Sequence, residues 1–161
     1  SCNNSNDSVK VYSQCIGNST ELPEEECNAW QDFFLMTNGP QWKYCNDTLL
    51  TPCDCDTKFA RVKCSDEKPS GKRITLIHAP YSSAGGSIPS TMENLKHLTY
   101  FEADCMGLNG TLPVNDVFIK GDCVLNDPLR ESDCVSFGGR ANSFSCPLPK
   151  GAAEHCYATC N

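Results

Sequence analysis

Residues 74–89 (ITLIHAPYSSAGGSIP), 98–113 (LTYFEADCMGLNGTLP) and 134–149 (CVSFGGRANSFSCPLP) align with one another without a gap, at successive offsets of 24 and 36 residues. Ile74, Leu98 and Cys134 share the first position, Ile77, Phe101 and Phe137 the fourth, and Ala79, Ala103 and Gly139 the sixth. Ala84, Leu108 and Phe144 share the eleventh. Each copy closes on an apolar residue followed by proline, at Ile88-Pro89, Leu112-Pro113 and Leu148-Pro149, in a chain with only ten prolines. Self-similarity at such a period marks units that cannot bury an apolar edge alone and must stack on a neighbour. No other feature restricts the fold as much.

Cysteine supplies the second constraint. Thirteen cysteines in 161 residues approach the density of a disulfide scaffold, and disulfides persist in oxidising compartments. The candidates for pairing are Cys2, Cys15, Cys27, Cys45, Cys53, Cys55, Cys64, Cys105, Cys123, Cys134, Cys146, Cys156 and Cys160. Five sequons for Asn-linked glycan, at Asn3, Asn6, Asn18, Asn46 and Asn109, point the same way, so the chain is expected to be secreted and extracellular. No run approaches the roughly 18 apolar residues of a membrane span and no signal peptide is visible, so the chain reads as a mature one. A formal charge of −7 without a basic cluster argues against nucleic acid and anionic membrane as partners.

The length fits one domain with a flanking arm. Residues 1–22 form a polar arm, rich in Ser and Asn, that would be disordered alone unless Cys2, Cys15 or a neighbouring subunit ties it down. Residues 23–73 form a disulfide-stapled cap. Pro23 and Glu24, Glu25 and Glu26 suit a helix N-terminus, Trp30, Phe33 and Phe34 make its apolar stripe, and Thr37-Asn38-Gly39-Pro40 stops it. The turn Lys68-Pro69-Ser70-Gly71 leads into three units at 74–97, 98–133 and 134–149, the second carrying an inserted loop within 114–133. Residues 150–161 form a C-terminal cap.

The unit resembles the leucine-rich repeat, whose pattern is L-x-x-L-x-L-x-x-N/C-x-L at a period of roughly 20 to 29 residues. Its Gly-x-apolar-Pro ending resembles the plant-type subclass, L-x-x-L-x-L-x-x-N-x-L-x-G-x-I-P. The ninth position departs from that form, with Ser82, Met106 and Asn142, and the sixth is small. Upstream, Trp30-Gln31-Asp32-Phe33-Phe34, Thr37-Asn38-Gly39, Trp42 and Phe59-Ala60-Arg61-Val62-Lys63-Cys64 resemble the plant-type capping region. The resemblance implies an α/β fold: a short solenoid of about three repeats with a parallel sheet on its concave face, an N-terminal helical cap and disulfide-rich ends. Cys53 or Cys55 with Cys64, and Cys156 or Cys160 with Cys146, are the favoured pairings.

In that register Leu76, His78, Tyr100, Glu102, Asp104, Ser136 and Arg140 face the concave surface, with His78 and Glu102 close enough on adjacent strands to pair. No catalytic signature joins the scattered His78, His97 and His155, so an enzyme is not expected, and secreted cysteines favour disulfides over metal. No cofactor is expected. Thirteen cysteines cannot all pair in one chain, so one is free or bonded to another molecule, with Cys2, Cys105 and Cys123 the candidates. The expected role is a glycosylated structural subunit of an extracellular filament, wall or coat, joined to other copies of itself or to another extracellular protein. The alternative is a soluble repeat module binding protein or carbohydrate on its concave face.

Overall fold

The computed structural model describes residues 11–67, 69, 71–79 and 85–161. Helix α1 runs over Glu24–Met36, with Glu24, Glu25 and Glu26 in its first turn, where carboxylates complement the helix dipole. It ends where Asn38 takes a left-handed φ of 56°. Gly39 follows because a Cβ there would lie 2.4 Å from the Phe34 ring. The α1 stripe nucleates an aromatic core. Phe33 and Trp42 stand 5.9 Å apart, Phe33 and Phe101 5.7 Å, and Phe101 and Phe118 5.3 Å. Both indoles are buried with a partner, Trp30 Nε1 donating to the Thr48 carbonyl at 2.8 Å and Trp42 Nε1 to the Thr37 carbonyl at 3.0 Å, as buried indole N–H groups require.

Strands β1 (Arg61–Glu67), β2 (Gly71–His78), β3 (Tyr100–Glu102) and β4 (Asp122–Val124) form one sheet in that order. The first pair is an antiparallel hairpin with an irregularity between Lys63 and Cys64. The remaining pairs are parallel, with Leu76, Ile77 and His78 facing Tyr100, Phe101 and Glu102, and those facing Asp122, Cys123 and Val124. Two short helices complete the fold, α2 (Asp116–Ile119) and α3 (Ala152–Cys156). Helix α1 packs against the 3-10 turn Ser90–Asn94, and α2 and α3 pack against β4. Glu26 ties α1 to the sheet: its Oε1 accepts from the Ile74 N–H at 2.8 Å and its Oε2 lies 3.3 Å from Arg73 Nε. Burial outweighs those two contacts and raises its carboxyl above the ordinary range.

The expected solenoid is not what forms. The described residues make a small single domain with one open, mixed four-stranded sheet and three helices, and among them there are no repeating curved units. Two findings overturn the repeat reading. The fourth strand, Asp122–Val124, comes from the segment expected as an inserted loop. The start of the third copy is a 3-10 helix, Glu131–Phe137, instead of a strand. The physical reason is that apolar spacing specifies which side chains turn inward, not which backbone groups pair. Cys134 is buried but bonded to Cys105, and Phe144 is buried, whereas Phe137, at the equivalent of Ile77 and Phe101, is 45% exposed. Ser82 and Ala84, in the first copy, lie outside the described residues.

Six disulfides join Cys15 to Cys27, Cys45 to Cys55, Cys53 to Cys64, Cys105 to Cys134, Cys123 to Cys156 and Cys146 to Cys160. Cys105 and Cys123, considered for bonds to another molecule, are thus both engaged within the chain. Cys2 lies outside the described residues.

Candidate functional site: a cleft on the sheet face

Where β2 and β3 run side by side, alternation sends Ile77 and Phe101 into the core, at 1% and 0% exposure, and leaves His78, Tyr100 and Glu102 on the other face. His78 and Glu102 are register partners. Their side chains meet through Nε2 of His78 and Oε2 of Glu102, and the Tyr100 hydroxyl donates to Glu102 Oε1 at 3.0 Å. Burial alone would raise the Glu102 carboxyl. The hydrogen bond and charge of His78, joined by the Tyr100 hydroxyl, outweigh it and hold the carboxyl below its ordinary range. Burial, then the charge and hydrogen bond of Glu102, push the Tyr100 phenol up to about 12. At neutral pH, therefore, Glu102 is ionised and Tyr100 keeps its proton.

This trio lines a cleft of about 610 Å³. The segment stapled by Cys45–Cys55 and Cys53–Cys64 contributes two basic-aromatic neighbours, Lys43-Tyr44 and Lys58-Phe59. The Tyr44 and Phe59 rings stand 5.3 Å apart, and each lysine ammonium lies 5.6 Å from the ring beside it. A second segment, anchored by Cys105–Cys134, contributes Arg130 and Phe137, with the guanidinium 5.7 Å from the ring. The lining thus carries three cations, Lys43, Lys58 and Arg130, against one carboxylate, Glu102, in a chain whose formal charge is −7. Asp127 offsets part of this, its Oδ2 lying 3.6 Å from Arg130 Nε. The positive balance belongs to the lining itself, with Asp127 and Asp122, the strand partner of Tyr100, at its edge. Local charge opposite to the net charge focuses anions, and paired rings offer a planar apolar surface.

Of the seven residues expected on one recognition face, His78, Tyr100 and Glu102 come together here, and Leu76 sits beside Tyr100 on the same strand pair. The other three do not. Asp104 is 1% exposed, its Oδ1 accepting from the Asp127 N–H at 3.2 Å, because the chain turns inward after β3 and Cys105 takes a φ of 57°. Ser136 is exposed on the 3-10 helix, donating to Asp133 Oδ1 at 2.6 Å. Arg140 lies over Gly107, where a Cβ would come within 2.4 Å of its Nε. The basic and aromatic lining escaped the repeat-based reading because it comes from outside the repeat strands. Its one signal in the sequence is the recurring basic-aromatic pair, Lys43-Tyr44 and Lys58-Phe59.

A second cluster gathers one donor atom each from Asp104, Cys105 and Cys134 within 4.8 Å of one another. Asp104 Oδ2 has no hydrogen-bond partner there, and burial raises this carboxyl above its ordinary range against the opposing Asp127 N–H. Thiolate is the sulfur form that binds metal, and both sulfurs are joined in a disulfide. The triad is a metal-ligand set only after reduction. Of the sequons, Asn18, Asn46 and Asn109 are exposed, with Asn18 Nδ2 donating to Asp54 Oδ1 at 3.0 Å. Asn3 and Asn6 lie outside the described residues.

No protein-family model matches this chain, and comparisons with curated proteins and with solved structures give no match. The class that the fold defines is a compact, disulfide-rich mixed α/β domain. The assembly-subunit reading and the repeat-recognition reading both depended on a repeat stack. Without that stack both are withdrawn. Among the described residues no helix is long and apolar enough to cross a membrane.

Proposed function

We propose that this is an extracellular, non-catalytic binding domain whose site is the sheet-face cleft, and that its ligand is a small molecule combining an aromatic ring with an anionic group. The observation that carries this reading is the charge reversal at the cleft: Lys43, Lys58 and Arg130, each stacked on a ring, surround one carboxylate already engaged by His78 and Tyr100. Glu102 holds His78 and Tyr100 in place, so the polar floor is preorganised, which lowers the cost of binding. Tyr100, with its phenol pushed up to about 12, keeps its proton at neutral pH and serves as a hydrogen-bonding group of the floor. Six disulfides in one small chain support an oxidising compartment. Twelve of the thirteen cysteines pair with one another, so a disulfide to another molecule would fall to Cys2, which is otherwise a free thiol.

The test is a calorimetric titration with phenyl phosphate, inorganic phosphate and benzyl alcohol. Phenyl phosphate is expected to bind more tightly than either fragment, and less tightly as salt rises. Lys58→Ala and Arg130→Ala are each expected to weaken it by on the order of fivefold, about 1 kcal/mol. Equal response to all three probes, or no loss in the variants, contradicts the reading. Turnover of the ester would contradict its non-catalytic part.

A further inference from the structure

A second depression, of about 540 Å³, shares no lining residue with the cleft. It is a hydroxyl-rich groove where three turns of chain stack. Ser87 and Asn109 form a parallel bridge, the Asn109 N–H donates to the Gly86 carbonyl at 2.8 Å, and the Ser145 N–H donates to the Gly110 carbonyl at 2.8 Å. Ser87, Ser90 and Ser145 offer hydroxyls along it, above the buried Ile88-Pro89 step. At one side Asp32, 2% exposed, has its Oδ2 bound by the Tyr12 hydroxyl at 3.0 Å and the Thr91 hydroxyl at 2.7 Å. The sequon Asn109-Gly110-Thr111 lines this same groove with all three residues, and Asn109 and Thr111 are both exposed.

We propose that Asn109 is glycosylated and that the first sugars of its glycan lie in this groove, covering the junction of α1, the Ser87–Thr91 turn and the Ser145 turn. The occupant is specified by covalent attachment: whatever is linked to the Asn109 side chain starts at a residue that lines the groove. Acetamido sugars suit the lining, with hydroxyls and an amide to exchange hydrogen bonds with its serine and threonine side chains. Attachment is a group transfer from a polyprenyl-diphosphate oligosaccharide. The Asn109 amide nitrogen forms a bond to the sugar C1 as the C1–O bond to diphosphate breaks, the polyprenyl diphosphate leaves, and one amide proton passes to the medium. Gly110, at φ 78°, keeps the sequon in a turn, where acceptor asparagines are presented. Asn46, exposed and not among the residues that line this groove, is the natural contrast.

The experiment uses the whole chain secreted from a host that N-glycosylates, with site occupancy read by mass spectrometry. Release of the Asn109 glycan by peptide N-glycosidase is timed on native protein and again after reduction and denaturation. Release is expected to be at least about tenfold slower in the native state, since a substrate held in a folded groove must open before it is cleaved. Ser145→Trp, which leaves the sequon intact and fills the groove, is expected to remove most of that protection. Because the native-to-denatured ratio is taken at Asn109 in each protein, loss of fold in the variant is detected separately by its circular dichroism, and the wild-type ratio alone decides the matter in that case. An unoccupied Asn109, or equal release rates in the two states of the wild type, overturns the proposal.

Discussion

The stretch from Gly71 to Leu112 and the stretch from Asp122 to Asn161 share an apolar spacing and fold differently. In the first, β2 has a hydrogen-bonded strand on each side and β3 likewise, so the spacing becomes strands with Ile77 and Phe101 inward. In the second, only Asp122–Val124 joins the sheet. The remainder is organised by disulfides and buried asparagines. Asn142, 1% exposed, accepts from the Leu108 N–H at 2.8 Å and donates to the Ala103 carbonyl at 2.7 Å and the Leu125 carbonyl at 2.5 Å. Asn126 answers it, donating to the Asn142 carbonyl and accepting from its N–H, both at 3.0 Å. The first region pairs its backbone in continuous strand ladders, whereas the second pairs its own through isolated bridges, Met106 with Arg140 and Phe144 with Cys160, supplemented by side-chain amides. The lesson is that an apolar pattern selects buried residues, while the pairing available to the backbone decides the element.

The largest effect is expected at Phe101, which lies in the first region and pairs in register with Cys123 of the second. Phe101→Ala removes the ring that contacts both Phe33 and Phe118, and urea unfolding should show a loss of about 3–5 kcal/mol, with both regions unfolding together. Replacing Cys123 and Cys156 by serine opens a tie spanning 33 residues and should cost about 2–5 kcal/mol. Its hydrogen exchange should rise in β4 and α3 while Leu76–His78 stays protected, which separates the regions. Asn142→Ala strands the Leu108 N–H and two carbonyls, and is expected to cost at least about 1–3 kcal/mol. Equal hydrogen exchange in the two regions after that change would dissolve the distinction drawn between them.

The smallest effect is a difference in pH slope between two carboxyls two residues apart. Glu102 is lowered, so its contribution is present above the ordinary value of 4.5 and is lost as pH falls through its folded pKa. Asp104 is raised, so its contribution is present below the ordinary value of 3.8 and is lost as pH rises through its folded pKa. Glu102→Gln should therefore remove stability loss on the acid side, and Asp104→Asn should remove loss on the way up from the acid range. Thermal midpoints of the two variants against the wild type between pH 3 and 7 check the opposite signs.

Helix α1 and the His78–Glu102 pairing of the first region were legible in the sequence. Pro23, the three glutamates and the Trp30-Phe33-Phe34 stripe describe α1, and the stop at Asn38-Gly39 is where the backbone turns left-handed. The pairing of His78 with Glu102 follows from their shared place in two copies. Strand β4 was not legible, because three residues, Asp122, Cys123 and Val124, are too few to display a period and carry an acid first. The cleft was half legible. Its floor lies on aligned strands, but Lys43, Lys58 and Arg130 reach it through segments whose positions are set by Cys45–Cys55, Cys53–Cys64 and Cys105–Cys134, and pairings among so many cysteines cannot be enumerated from spacing.

Chemical-shift mapping with phenyl phosphate tests the central claim most directly, since it locates a ligand as well as detecting it. The account predicts that signals of His78, Tyr100, Glu102 and the Lys58-Phe59 pair shift together and saturate together, while those of Ser87, Asn109 and Ser145 stay still. Shifts confined to the hydroxyl groove, or scattered over every exposed lysine without saturation, would contradict it.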